Sequence, residues 1–61
     1  MFFYIMLTFC ASTCTTFQAG GIYPTLQACN AAAHEVIAEA KAQMRGWRFQ
    51  GGYCEASMGY H

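Results

Sequence analysis

The sequence predicts an α+β fold: a ββαβ chain in which one helix packs on one face of a three-stranded antiparallel sheet of order 2-1-3. Three observations predict it. Residues 1–9 are an uncharged run of aromatic and branched side chains, the length and chemistry of a strand buried on both faces. Residues 26–45 contain seven alanines and an apolar stripe at spacings of three and four, which reads as an amphipathic helix. Trp47, Arg48, Phe49 and Gln50 alternate apolar and polar, the pattern of a half-buried strand.

The first strand is expected over residues 2–9. Phe3, Ile5, Leu7 and Phe9 then point to one face, and Phe2, Tyr4, Met6 and Thr8 to the other. No Lys or Arg precedes Lys41, so the basic region of a secretory leader is missing. The run is also far short of the roughly 20 residues that span a bilayer. Residues 1–9 therefore read as a strand rather than a leader. The small polar stretch between Cys10 and Cys14 reads as a hairpin connection, and residues 15–19, with two threonines, as an edge strand.

Gly20 and Gly21 are expected to break that strand, with Tyr23 and Pro24 ending the loop. Thr25 is the expected N-cap, its hydroxyl accepting from a first-turn N–H. The helix is then expected over residues 26–45. Leu26, Cys29, Ala33, Val36, Ile37, Ala40 and Met44 form its apolar stripe. Lys41 and Arg45 suit its C-terminal end, and Gly46 is the expected residue just past the cap. The last strand is expected over residues 47–55, with Trp47 and Phe49 facing the core and Gly51–Gly52 interrupting it. Residues 56–61 show no pattern and read as a loosely held tail, giving one small domain over residues 1–61.

Composition bounds the function. Only 10% of residues are charged and the net charge is zero, so the chain has no basic footprint for nucleic acid and is too apolar for disorder. A chain of this length buries only about 60% of its unfolded surface, and needs covalent staples or a partner. Four cysteines are the first candidate reinforcement. The topology places Cys10 and Cys14 at one end of the sheet, and Cys29 and Cys54 at the other, about 25 Å away at ~3.3 Å per residue. A disulfide needs Cα atoms within ~7 Å, so the feasible pairs are Cys10–Cys14 and Cys29–Cys54. Trp47 and Phe49 share a parity that would turn Cys54 away from the helix, so a bulge at Gly51–Gly52 is expected to restore it. Zinc ligation and free thiols remain the alternatives for these cysteines.

Excess apolar surface is the second reinforcement. Phe2, Tyr4 and Met6 lie on the face the helix does not cover, which predicts a homodimer or another protein as partner. Trp47 and Arg48 are further candidate contact residues, with Tyr53 and Tyr60 as aromatic anchors. Arg45, Trp47 and Arg48 form the single basic–aromatic cluster, the basis of a weaker nucleic-acid alternative. His34 and Glu35 are adjacent on the helix and do not converge on one substrate. No nucleophile elbow, phosphate loop or metal-helix motif is present. The residues thus point to a non-enzymatic binding protein with no cofactor; a small ligand held between two copies is a further option.

The layout resembles short bacteriophage and prophage proteins. The resemblance rests on the opening Phe2-Phe3-Tyr4-Ile5-Met6-Leu7, on the helix start Thr25-Leu26-Gln27-Ala28-Cys29-Asn30-Ala31-Ala32-Ala33, and on an aromatic strand from Trp47 that ends with Cys54. It spans most of the chain with motifs of low specificity. Some such proteins inhibit bacterial defence systems. The resemblance therefore implies an anti-defence inhibitor of a host protein in the host cytoplasm, and carries over no functional residue. A small secreted or periplasmic disulfide protein is the alternative.

Overall fold

A computed structural model describes residues 1–57. The chain runs β1 (Phe2–Cys10), β2 (Cys14–Tyr23), α1 (Leu26–Gln43) and β3 (Arg48–Ser57). The sheet is antiparallel with order β2-β1-β3, so the most apolar strand is central. The fold is the α+β arrangement expected from the sequence.

Alternation along β1 sets the layers. Ile5, Leu7 and Phe9 are fully buried on the helix side and, with Cys29 of α1, make the core. Ala32, Ala33, Val36, Ile37, Ala40 and Met44 of the helix segment pack against them. Phe9 sits between Phe17 of β2 and Phe49 of β3, with ring centroids 5.9 and 5.4 Å away. Lys41 lays its ammonium 5.1 Å from the centre of the Phe49 ring, closing this end of the core with a cation over an aromatic face. Leu26 is 48% exposed at the first helical position, and the apolar stripe begins in effect at Cys29.

The helix starts where Thr25 caps it. Thr25 is extended, and its Oγ1 accepts from the Ala28 N–H at 3.0 Å. The helix ends two residues earlier than expected, because Met44 leaves helical geometry at φ −103° and ψ 64°. A turn follows in which the Trp47 N–H donates to the Met44 carbonyl, with Gly46 at φ 87° in its third position. That position takes positive φ in a type II turn, which glycine accepts without strain. The turn delivers the chain to β3 at Arg48, so Trp47 lies before the strand and is 37% exposed. Of the two aromatic residues expected to face the core, Phe49 does so and Trp47 does not.

Gly20 and Gly21, expected to end a strand, are instead carried inside one. Ile5 pairs with Ala19 while Tyr4 pairs with Ile22, so Gly20 and Gly21 are two extra residues in β2. Gly20 takes φ 73°, which lets the chain bulge and resume pairing. Two extra residues preserve parity, and Tyr23 returns to the core face opposite Phe3. The strand therefore spans Cys14–Tyr23 rather than 15–19. In β3 the register shifts by one, because Thr8 pairs with Gly51 and Phe9 with Phe49. The extra residue is Gln50, adjacent to the expected Gly51–Gly52 position. This single insertion puts Phe49 and Cys54 on the same face, as the disulfide requires. The ladder continues to Ala56 and Ser57, which pair with Phe3 and Phe2 and so are strand rather than tail. Their pairing satisfies backbone groups at the start of the central strand. The rest of the expected tail, with Tyr60, lies outside the described residues.

Candidate functional site

Two features stand outside the core: the open face of the sheet and the disulfide at its hairpin end. The open face carries the even-numbered residues of β1 and their ladder partners, which project to the same side. Phe2 is 51% exposed, and Tyr4 and Met6 are half-buried. Register adds two residues that the sequence reading did not place on this face. Ile22, opposite Tyr4, is 65% exposed, and Tyr53, opposite Met6, is 54% exposed. Ile22 was hidden because it follows Gly20 and Gly21, where the strand was expected to have ended. Thr8 and Thr16 face each other across β1 and β2 with their hydroxyl oxygens 2.8 Å apart.

Charge on this face is confined to its two ends. Glu55 pairs with Tyr4 near the start of β1, and Arg48 pairs with Cys10 at its end. The Met6–Tyr53 pair lies between them, two positions along β1 from Tyr4 and four from Cys10. Arg48 is thus about 20 Å along β1 from Tyr4, at ~3.3 Å per residue. It shares the face with Phe2, Tyr4 and Met6 but not their cluster. Trp47 has no partner in the ladder and stays with Arg45 at the helix-to-strand turn, both exposed.

All four cysteines are bonded, in the two pairs that topology made feasible. Cys29–Cys54 joins the first turns of the helix to β3 across a sequence separation of 25, with Cys29 fully buried. Cys10–Cys14 bridges opposed residues of the β1–β2 hairpin, with Cα atoms 4.0 Å apart and a sequence separation of 4. The thiolates that zinc ligation or free-thiol chemistry requires are consumed in these bonds. Among the described residues there is no group of three or more side chains arranged to hold a metal. His34 and Glu35 are exposed on the helix.

On the helix side a groove of about 340 Å³ lies between α1 and β2, floored by Phe17, Ala19, Val36, Ala40 and Met44. Glu39 lines it as well. It contains no pair of acid and base groups facing each other. Among the described residues no helix is long and apolar enough to cross a membrane. Compared with protein-family models, curated proteins and solved structures, the chain matches none.

Proposed function

We propose that this chain is a non-enzymatic protein-binding module that pairs with a second copy of itself through the open sheet face. One observation carries the reading: an apolar cluster of Phe2, Tyr4, Met6, Ile22 and Tyr53, with opposite charges at the two ends of the same face. A two-fold axis level with the Leu7–Gly52 row, in the plane between two stacked sheets and across the strands, reverses strand direction. It brings β3 over β3, with Arg48 of each copy above Glu55 of the other. The contact is then self-complementary in shape and charge, as an isologous interface must be. The helix layers stay outside, and the two sheets pack face to face.

The target of such a dimer is proposed from the resemblance to phage proteins: a host defence protein, contacted through Trp47 with Arg45, in the host cytoplasm. A second reading is favoured by a specific observation. Two disulfides and a core of four fully buried residues are the economy of a small protein in an oxidising compartment, which supports a periplasmic or secreted setting. Thiol trapping in intact cells separates the two: oxidised cysteines support the second, and reduced cysteines the first.

Light scattering on the untagged chain, with and without reductant, tests the dimer. A mass near twice the 6.8 kDa of one chain is expected. A stable monomer overturns the dimer and leaves the open face as the contact surface for a different protein.

A further inference from the structure

We infer that Cys10–Cys14 is a thiol-exchange site, which a small thiol such as glutathione opens by attacking Cys14. The two disulfides differ in every property that governs access. Cys29 is fully buried and Cys54 packs against the core. Cys14 is exposed on an edge strand at the mouth of a hairpin, and its partner Cys10 is only 7% exposed. Thiolates attack a disulfide in line with the S–S bond, from the side opposite the departing sulfur. Cys10 lies on the central strand and Cys14 on β2, so in-line attack on Cys14 comes from beyond the free edge of β2. Attack on Cys10 has to come from the opposite side, where Arg48 of β3 stands in the ladder. Geometry therefore selects one sulfur, and the approach does not cross the open face.

Arg48 has a second part. It is the ladder partner of Cys10 on the same face, so its long side chain starts within reach of the sulfur that departs. A cation there stabilises a thiolate and assists its departure. In the first step the glutathione thiolate bonds to Cys14 Sγ, the Cys10–Cys14 bond breaks, and the electron pair leaves on Cys10 Sγ. In the second step another glutathione thiolate attacks the glutathione sulfur of the adduct and expels Cys14 as its thiolate. The protein disulfide is reduced to two thiols, and two glutathione molecules are oxidised to one disulfide. Since the pair spans only four positions and closes the last rung of the β1–β2 ladder, the other rungs and the β1–β3 pairing remain when it opens. The attack on Cys14 is independent of what the open face binds; the part given to Arg48, which lies on that face, is read at a concentration that keeps the chain monomeric.

The test is stepwise reduction of the oxidised chain with glutathione, acid quenching, alkylation of free thiols and mass spectrometry of the digested protein. Expected are an adduct on Cys14 and then alkylated Cys10 and Cys14, while Cys29–Cys54 stays bonded and the far-ultraviolet circular dichroism is unchanged. An adduct on Cys10, or Cys29–Cys54 opening first or together with Cys10–Cys14, overturns the inference. Arg48→Gln is expected to slow opening about threefold, the square-root response of exchange rates to a tenfold change in thiolate stability. Arg48→Lys is expected to restore the rate. Equal rates for Arg48→Gln and the native chain overturn the part given to Arg48.

Discussion

Gly52 lies opposite Leu7 on the buried side of the sheet, and a Cβ built on it stands 2.7 Å from the Leu7 Cδ2 and 3.2 Å from the Met6 carbonyl oxygen. Leu7 is fully buried on the central strand, so its side chain has nowhere to retreat. Gly52→Ala is therefore expected to lower stability by about 1–3 kcal/mol, the usual cost of overpacking. For a domain of this size each kcal/mol lowers the melting temperature by about 4–8 °C. Gly51 has open space where its Cβ would be, so Gly51→Ala is the control and is expected to melt close to the native chain. Thermal melts of both variants check the pair.

The two disulfides are expected to contribute unequally. In the chain-entropy picture a separation of 25 corresponds to about 3.5 kcal/mol and a separation of 4 to about 2 kcal/mol. Replacing Cys29 and Cys54 by Ala also opens space next to Ile5, whose ladder partner is Cys54. The Cys29→Ala, Cys54→Ala chain is expected to lose most of its cooperative unfolding transition. The Cys10→Ser, Cys14→Ser chain is expected to keep it at a lower urea midpoint. Equal midpoints would show that Cys29–Cys54 is not the principal staple.

Thr25 carries the start of the helix through one hydrogen bond to the Ala28 N–H. Thr25→Ala is expected to cost about 1 kcal/mol, with Thr25→Ser close to native, because serine keeps the accepting hydroxyl. Urea unfolding followed by circular dichroism reads both.

Arg48 and Glu55 provide a charge-swap test of the dimer. Arg48→Glu is expected to weaken self-association by placing like charges together at both ends of the contact. Adding Glu55→Arg reverses both signs and is expected to restore it. A more severe change, Met6→Lys with Tyr53→Glu, removes the apolar centre and is expected to leave a folded monomer. Sedimentation or light scattering reads the association, and circular dichroism the fold.

Much of the fold was legible because it rests on local rules. The buried run of β1, the alanine-rich helix with its Thr25 cap, and the order 2-1-3 all follow from hydrophobic pattern and the length of connections. Both cysteine pairs followed from topology, since pattern placed each cysteine at one end of the sheet. Glycine was the point of failure. Gly20–Gly21 reads as a breaker in the sequence, yet it sits inside a continuous strand, as the expected bulge pair Gly51–Gly52 also does. A glycine states only that its backbone is free; whether the chain turns or bulges there depends on the strand beside it. A β2 that stops at residue 19 leaves Ile22 off the open face.

The sequence by itself determined the element types and most of the core, Leu26 and Trp47 excepted, because periodicity, capping and chain length act within a few positions. Tertiary structure alone decided the details that depend on register. It set the extra residue at Gln50 that turns Phe49 and Cys54 to one side, and the pairing of Tyr53 with Met6. It also set Arg48 across from Cys10, and the exit turn that leaves Trp47 outside the strand. Register is a property of two strands at once, and one residue of slip moves a side chain from the core to solvent. The chain's open face and its exposed disulfide are both products of that alignment.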